Sequence, residues 1–429
     1  MIWSRYNFLF ETISKDYLLY NSLSNSFMEL DEETYYFFIK NQLNIKLLEE
    51  SEYKDILIDQ KILVDDDDAE IAEITYLEKL AQTSNKVLNL TIAPTYDCNF
   101  DCIYCYEDNR RHLYMDDDTI DALVYFIEGF KDMQLNIAWY GGEPLMALQQ
   151  IKKICDKLND LSIISNQSII TNGYLLNHKA IDLFQRYNIR RAQITIDGPQ
   201  NVHDGRRYLK GEKPTFYRII ENVENLLGCI PDFSIDFRVN IDKQNEKYYK
   251  EIHDFLNDKF ENRNINVYAG FVEEVSVCKK RSHCIFDRQQ IVDFKKQLFA
   301  NYDLDLGIYP DVGRYNCVAN LLNGYVIGAD GLIFKCWNDV GINEKSVSSV
   351  FEKKITNRTL FYRYLNADDN RFNAICSKCF LLPVCNGGCK FLQIENLFSN
   401  NRVDTCHFAK GNLKGLLELY YNKKYKNHD

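Results

Sequence analysis

Three cysteines stand close together in the segment Cys98-Asn-Phe-Asp-Cys102-Ile-Tyr-Cys105. Their thiolates can bind three irons of a [4Fe–4S] cube, which normally takes four thiolates. One iron then stays open to an exogenous ligand, and the amino and carboxylate groups of S-adenosylmethionine (SAM), a source of radical chemistry, suit that position. A three-thiolate zinc site is the alternative, although only the more distant His112 offers a fourth ligand. The spacing therefore favours an iron–sulfur site.

A second group of cysteines lies towards the end of the chain. It comprises Cys317, Cys336, Cys376, Cys379, Cys385, Cys389 and Cys406. Seven thiolates are enough for one fully ligated cube and a second cube with three protein ligands, whereas a zinc ribbon would leave too many of them unexplained. The remaining four of the 14 cysteines are interpreted as ordinary buried or free thiols, and they are Cys155, Cys229, Cys278 and Cys284.

Composition narrows the class of protein further. A chain of 429 residues, 46% of them hydrophobic, has room for two or three domains. The net charge of −11 argues against a nucleic acid or an anionic membrane as partner. The first residues lack the apolar segment of a signal peptide, and no run of about 18 apolar residues is present. We therefore expect a cytoplasmic protein whose thiols stay reduced instead of forming disulfides.

Residues 1–85 are predicted to form a small domain in which strands precede helices. Asn7–Ile13 and Asp16–Leu23 have strand character, and Asp16–Leu23 is predicted to be an edge strand. Asp31 is the predicted N-cap of the next helix, and Glu50–Gln60 is a second helical run. The acidic run Asp65–Asp68 is interpreted as a solvated linker.

From residue 86 to about 300 strand and helix patterns alternate, which is typical of a parallel α/β sheet or barrel. The helices include Asp117–Phe130, capped by Asp116, and Leu176–Tyr187. The six predicted strands are Val87–Ile92, Leu135–Trp139, Ser168–Thr171, Ala192–Ile196, Ser234–Val239 and Ile265–Phe271. Six units are too few for a closed eight-stranded barrel, so an α/β fold with a partial (β/α)6 TIM-type barrel is predicted over residues 86–300. Residues 301–429 are loop-rich, and we expect cluster ligation to help hold them together.

The first cysteine motif resembles the CxxxCxxC signature of the radical SAM superfamily. Further segments follow in the order that this family shows: Trp139-Tyr140-Gly141-Gly142-Glu143-Pro144, Thr171-Asn172-Gly173, and Thr195-Ile196-Asp197-Gly198-Pro199 with His203-Asp204 and Arg206-Arg207. The resemblance implies that Cys98, Cys102 and Cys105 hold the catalytic cluster. It also implies SAM contacts from Tyr104 near the adenine, from Gly141, Gly142 and Glu143 at the amino group, from Thr171, Asn172 and Thr195, and from Arg207 at the carboxylate of SAM.

The second cysteine group is similar to the SPASM domain, an auxiliary-cluster module of peptide-modifying radical SAM enzymes. By this resemblance Cys376, Cys379, Cys385 and Cys406 hold an outer cluster, and Cys317, Cys336 and Cys389 hold an inner one. Three [4Fe–4S] clusters are therefore implied, one that binds SAM and two that are auxiliary. The position where some relatives have a further ligand is Asp311, so an open or non-cysteine fourth site is favoured over Cys278 or Cys284.

The order of elements in residues 1–85 resembles a RiPP recognition element, a winged-helix-like module that captures leader peptides of ribosomally made precursors. Its implied mechanism is strand addition to an exposed sheet edge. The alternative is a structural cap on the barrel.

Together these resemblances imply an enzyme that installs a thioether, carbon–carbon or ether crosslink on a precursor peptide by 5′-deoxyadenosyl radical hydrogen abstraction. A flavodoxin or ferredoxin would supply its electrons. One alternative is an anaerobic sulfatase maturase, which forms formylglycine, but those relatives carry Asp where this chain has Trp337 after Cys336. Another alternative is a non-catalytic, cluster-binding scaffold for leader peptides.

Overall fold

The structure is a computed structural model that describes residues 1–83, 86–105, 112–272, 285–310, 317–366, 375–399 and 403–426. The chain divides into two compact units. The first contains Met1–Thr83, Asp287–Asn316 and Asn366–Asp429, and the second contains Ser84–Phe286 and Cys317–Leu365. This division differs from the predicted domains, because residues 301–429 supply segments to both units. None of the described helices has the length and apolar character needed to span a membrane.

Residues 1–83 form a small antiparallel sheet and several helices. The strands are β1 (Ile2–Trp3), β2 (Asn7–Glu11), β3 (Tyr17–Asn21), β4 (Ser26–Leu30) and β5 (Leu63–Val64), and the helices are α1 (Glu32–Asn41), α2 (Ile45–Glu49), α3 (Lys54–Asp59) and α4 (Asp67–Gln82). The sheet has the order β2-β3-β4, and β1 pairs with β5.

The predicted edge strand Asp16–Leu23 is wrong in one respect, because β3 is the central strand of this sheet. Leu18, Leu19 and Tyr20 are all fully buried, so this strand is covered on both faces and paired on both sides. The outer strands are β2 and β4. Any strand addition to this sheet therefore has to use one of those two strands.

Acidic residues begin both long helices of this segment. The side chain of Asp31 accepts a hydrogen bond from the backbone N–H of Thr34, which confirms the predicted N-cap of α1. Asp66 accepts from the N–H of Ala69 and caps α4 in the same way. The interpretation of Asp65–Asp68 as a linker is therefore wrong, because carboxylates at a helix N-terminus satisfy free N–H groups and favour the helix dipole.

The second unit contains six parallel strands that alternate with helices. The strands are β6 (Val87–Ile92), β7 (Gln134–Trp139), β8 (Ser165–Thr171), β9 (Ile189–Thr195), β10 (Ser234–Ile241) and β11 (Ile265–Phe271). The helices are α5 (Asp117–Glu128), α6 (Leu148–Asp160), α7 (His178–Arg186), α8 (Gln200–Asp204), α9 (Phe216–Cys229) and α10 (Tyr249–Lys259). All six predicted strands are confirmed as neighbours in chain order, and Asp116 caps α5 as expected.

The remaining elements complete both units. They are α11 (Arg288–Tyr302), β12 (Gly324–Ile327), β13 (Leu332–Phe334), β14 (Ser348–Ser349), α12 (Arg358–Asn366), α13 (Leu382–Cys385), α14 (Lys390–Phe398) and α15 (Leu413–Tyr421). Strand β12 adds to the sheet beside β6 in parallel, and β13 and β14 follow it in antiparallel pairs. Among the described residues the sheet thus has nine strands in the order β11-β10-β9-β8-β7-β6-β12-β13-β14.

The core of the first unit joins the two ends of the chain. Phe10, Leu18 and Tyr20 from the N-terminal sheet form one buried cluster with Leu417 and Tyr421 of α15. One face of the N-terminal sheet consequently packs against α15, whereas Leu19, on the other face, packs within residues 1–83.

Alternation along β10 directs polar side chains towards one face of the large sheet. Ile235, Phe237 and Val239 are buried, whereas Arg238 and Asn240 alternate with them and lie on the other face. The carboxyl ends of the parallel strands meet at one edge of the sheet, which is where sites form in α/β proteins.

Candidate functional site

The first cysteine motif lies in the loop that follows β6, and a distant segment holds that loop by backbone hydrogen bonds. The N–H groups of Asp101 and Ile103 donate to the carbonyl oxygens of Tyr208 and Arg206 at 2.9 and 3.1 Å. In the reverse direction, the N–H of Lys210 donates to the carbonyl of Asn99 at 3.0 Å. The loop that carries Cys98, Cys102 and Cys105 is therefore shaped by the segment after α8.

Gly141 and Gly142 pack directly against the backbone of the cysteine loop. A Cβ atom on Gly141 would meet the carbonyl oxygen of Thr95 at 2.3 Å, and one on Gly142 would meet that of Asp97 at 2.2 Å. Gly141 also has φ +120°, a conformation that L side chains rarely adopt. Glycine is thus required here for the contact between two loops as well as for the predicted approach to a ligand.

The side chain of Glu143, which follows β7, forms hydrogen bonds with residues at the end of β8. Its buried carboxylate accepts hydrogen bonds from the hydroxyl of Thr171 at 2.6 Å and from the N–H groups of Asn172 and Leu145 at 2.7 and 3.0 Å. Burial raises the pKa of Glu143, and these donors oppose that rise. Asn172 in turn donates to the side chain of Asn99 at 2.8 Å, next to Cys98.

Arg206 and Arg207, in the segment after α8, make different contacts. Arg206 forms buried ion pairs with Asp197 at 3.1 Å and with Asp242 at 3.0 Å. Arg207 donates to the hydroxyl of Tyr104 at 2.8 Å, while its buried Nε has no hydrogen-bond partner among the described residues. That Nε is a donor available to an anionic ligand, because burying it unpaired is costly.

His203 of the same motif is a structural residue. Its Nδ1 accepts the N–H of Asp197 at 3.2 Å, and its Nε2 lies 3.1 Å from the hydroxyl of Thr215. Burial, together with nearby Arg207 and Arg206, lowers the pKa of His203 well below its usual range. The imidazole is consequently neutral and fixes the start of the arginine segment.

A cavity of about 360 Å³ at the carboxyl ends of the strands collects the predicted site residues. All eleven residues predicted for the catalytic cluster and SAM line it: Cys98, Cys102, Tyr104, Cys105, Gly141, Gly142, Glu143, Thr171, Asn172, Thr195 and Arg207. Ten further residues that were not predicted as site residues also line it: Phe100, Tyr140, Ile170, Gln193, Arg238, Asn240, Phe271, Val272, Trp337 and Asn338. Polar residues at alternate positions near the end of a strand, as in β10, are the signal that points to Arg238 and Asn240.

The donor set of this cavity suits an iron–sulfur cube better than a single ion. Within the described part of the chain, no three Cys, His, Asp or Glu side chains are gathered closely enough to hold one metal ion. A cube distributes its thiolates over different irons, so its ligands stand further apart. Burial raises the pKa of the Cys98 and Cys102 thiols, and metal binding there has to release their protons.

Four of the later cysteines line a second cavity of about 30 Å³ in the first unit. They are Cys376, Cys379, Cys385 and Cys406, the predicted outer set. His407 and Lys410 line the same cavity, and Nζ of Lys410 lies 3.5 Å from Sγ of Cys406. Seven of the ten predicted metal-binding cysteines thus line a cavity, three in the first cavity and four in the second.

The predicted inner set is divided between the units. Cys317 and Cys336 belong to the second unit, whereas Cys389 belongs to the first and directly precedes α14. Lys335, beside Cys336, is fully buried and donates to the carbonyl oxygen of Gly324 at 2.6 Å. Position 311, where some relatives have a further ligand, and the two alternative ligands Cys278 and Cys284 lie outside the described residues.

Comparison with known proteins relates this geometry to one superfamily. The profile of the radical SAM superfamily matches residues 92–256, which hold most of the cavity. A cysteine-type anaerobic sulfatase-maturating enzyme from Clostridium novyi (strain NT) is 22% identical over 385 residues, covering 80% of this chain and 100% of that protein. Two uncharacterized relatives, from Methanocaldococcus jannaschii and Synechocystis sp., are 30% and 32% identical, over 39% and 28% of this chain. The chain spans only 58% and 32% of their own lengths.

Solved structures share the fold. Native anSMEcpe with bound AdoMet and Cp18Cys peptide aligns with a TM-score of 0.60 at 16% identity, covering 79% of this chain and 100% of that one. SuiB of Streptococcus suis bound to the precursor peptide SuiA aligns with a TM-score of 0.52 at 16% identity, covering 90% and 95%. Sequence profile, fold and cavity agree that this chain carries a radical SAM domain, matched over residues 92–256.

Proposed function

We propose that the chain is a radical SAM enzyme that modifies a ribosomally made precursor peptide. The observation that carries this proposal is the single cavity that brings Cys98, Cys102 and Cys105 beside Gly141 and Arg207. When bound there, a [4Fe–4S] cluster and SAM supply a 5′-deoxyadenosyl radical that removes hydrogen from a substrate.

The chain's own residues fit this cofactor pair. Three cysteine sulfurs provide soft ligands for iron, and they leave one coordination position for a ligand that is not a cysteine. The unpartnered Nε of Arg207 would meet the carboxylate of SAM. The hydrogen bond from Arg207 to Tyr104 keeps the guanidinium in place, and Asn240 donates to the same hydroxyl at 3.0 Å. Gly141, Gly142, Glu143, Thr171, Asn172 and Thr195 would complete the SAM site.

The solved neighbours support a peptide as the substrate. Solved neighbours hold a peptide or a precursor peptide, and a further relative at 24% identity is named a radical SAM cyclopropyl synthase. We propose a thioether, carbon–carbon or ether crosslink as the product. The outer cysteine set would hold one auxiliary cluster and the inner set another, and a flavodoxin or ferredoxin would deliver the electrons.

Co-expression with a precursor peptide encoded beside this gene tests the function directly. We expect the purified peptide to have lost a pair of hydrogen atoms for each crosslink and to remain unreactive towards an aldehyde reagent. Tandem mass spectrometry would locate the crosslink by the missing fragmentation between the joined residues. A peptide of unchanged mass, produced beside enzyme that cleaves SAM, would contradict the proposal.

The leader peptide is proposed to add to strand β4 of the N-terminal sheet. In the described chain, no hydrogen bond between backbone groups other than those to β3 involves Ser26–Leu30, so the outer side of β4 offers a template for strand addition. We expect amide hydrogen exchange in residues 26–30 to slow by at least about tenfold when the leader binds. Residues 7–11 of β2 serve as the internal control.

Unchanged exchange in both strands, with leader binding established by fluorescence anisotropy, would show that the leader docks elsewhere and that residues 1–83 act as a cap. Hydrogen exchange suits this question better than deletion of residues 1–80. Deletion would remove the partners of Leu417 and Tyr421 from the buried cluster of the first unit.

The second candidate function is sulfatase maturation, which the alignment with the whole Clostridium novyi enzyme favours. Position 337, where such relatives carry Asp, holds a Trp whose ring lies 5.1 Å from that of Tyr140 at the cavity wall. The next aspartate, Asp339, is buried and accepts a hydrogen bond from Tyr364 at 2.5 Å. Among the described lining residues, the carboxylate of the cavity is that of Glu143. An aldehyde-reactive product in the co-expression experiment would establish this second function.

A further inference from the structure

An arginine on β10 enters the active-site cavity from the side away from Gly141 and Gly142. Arg238 lines the cavity together with Phe271, which ends the neighbouring strand β11. In the sheet, Arg238 is directly opposite Thr195 on β9 and Tyr268 on β11. Arg238 is therefore one strand further along the sheet than the predicted SAM contact Thr195.

The charge of Arg238 has no carboxylate partner within the described residues. Its Nε donates to the side-chain oxygen of Asn240 at 2.7 Å, and no other described residue forms a hydrogen bond or an ion pair with the guanidinium. Arg191, on β9, and Arg206, in the segment after α8, are both paired with aspartates. A half-buried guanidinium without such a partner leaves a bidentate donor pair open towards the cavity.

Gly270 makes room for this arrangement. It is opposite Asn240 on β11, and a Cβ atom at residue 270 would come within 2.5–2.8 Å of Nε, Cζ and Nη2 of Arg238. Tyr268 and Gln193 are already joined to each other by a hydrogen bond of 2.7 Å. The guanidinium thus lies over the one position of β11 that has no side chain.

We propose that Arg238 is a specificity-determining residue that binds a carboxylate of the peptide substrate. This inference rests on the proposed peptide-modifying function and names the chemistry that the peptide presents. The carboxylate belongs either to an Asp or Glu side chain or to the C-terminus of the peptide. Arg207, which donates to Tyr104 of the cysteine loop and has an unpartnered Nε among the described residues, remains the residue proposed for the carboxylate of SAM.

The overall negative charge of the chain does not favour the binding of an acidic peptide. The chain has a formal net charge of −11, so its general field favours basic peptides. A preference for acidic peptides therefore has to come from a local cation. The preference should change when the charge of residue 238 is changed, and it should not change when another surface charge is removed.

The test is affinity selection on reconstituted, SAM-loaded enzyme. A random library of acetylated and amidated octapeptides is equilibrated with the protein, and the retained peptides are sequenced by mass spectrometry. We expect wild type to enrich Asp and Glu over Asn and Gln by about tenfold. Arg238→Gln should abolish this enrichment, and Arg238→Glu should reverse it in favour of Lys and Arg. A second library with free C-termini distinguishes a terminal carboxylate from a side-chain one.

Arg218→Gln is the matched control, because Arg218 is on helix α9 outside the cavity and pairs with Glu221. It should select the same peptides as wild type. Retained peptides without an acidic preference, or an acidic preference that persists in Arg238→Glu, would overturn the role of Arg238 alone. Loss of SAM binding in Arg238→Glu with unchanged peptide selection would make Arg238 a SAM ligand instead. Failure of wild type to retain any peptide while it still cleaves SAM would instead refute the proposed peptide substrate.

Discussion

Replacing Cys98, Cys102 and Cys105 together by Ala is expected to lower reductive SAM cleavage by at least about a thousandfold, because removing the cluster removes the reductant of the reaction. The loop itself should keep its shape, since backbone hydrogen bonds to residues 206–210 hold it. The iron content of anaerobically reconstituted protein should fall from about twelve to about eight atoms per chain. Chromatographic measurement of 5′-deoxyadenosine and iron analysis check both expectations.

Cys229→Ala is the control for this experiment, because Cys229 is exposed and belongs to neither cysteine group. Persistent 5′-deoxyadenosine production by the triple variant would refute the assignment of this loop. Wild type with about four irons, or with stoichiometric zinc, would instead reject the auxiliary clusters. SAM cleavage by wild type would in addition exclude the alternative of a non-catalytic scaffold.

Arg206→Met should destabilise the protein strongly. The substitution leaves the buried carboxylates of Asp197 and Asp242 without their cation, and breaking a buried ion pair in this way costs about 3–5 kcal/mol. For a unit of this size we expect an apparent Tm lower by at least about 6 °C. Circular dichroism on samples of matched cluster content measures the shift.

Arg191→Met provides the comparison, because Arg191 also pairs with an aspartate of β10, Asp236, at 2.7 Å. That pair is exposed at its arginine, and exposed pairs contribute at most about 1 kcal/mol. The control should therefore change Tm by no more than about 4 °C. Equal shifts for the two variants would mean that the Arg206 network does not stabilise the strand ends.

Local signals in the sequence were sufficient for much of the fold. Alternating strand and helix patterns identify all six strands from β6 to β11, and the N-caps Asp31 and Asp116 act over three residues. Strand β12 escaped prediction because it pairs with β6, more than 200 positions earlier in the chain. The central place of β3 in its sheet likewise depends on pairing, which a short apolar run does not specify.

In the candidate site, too, local sequence features could be predicted, whereas contacts between distant parts of the chain could not. The spacing of the first three cysteines and the glycine pair are linear features, and the residues that they single out all line the cavity. The partners of Tyr104 were not predicted, because Arg207, in the segment after α8, and Asn240, near the end of β10, are far from Tyr104 in the sequence. Arg238 went unnoticed because a single arginine in a strand carries no motif, and only the sheet register shows what lies beside it.

The buried cluster that joins Phe10, Leu18 and Tyr20 to Leu417 and Tyr421 also sets an order of events during synthesis on the ribosome. The N-terminal sheet leaves the exit tunnel before α15, and its side chains Phe10, Leu18 and Tyr20 find their final neighbours only when α15 has been translated. The second unit, by contrast, has its six central strands by residue 271. The second unit can therefore begin to fold during translation, whereas one buried cluster of the N-terminal sheet has to wait for α15. Nascent chains that stop before residue 413 would expose this sheet to chaperones and proteases.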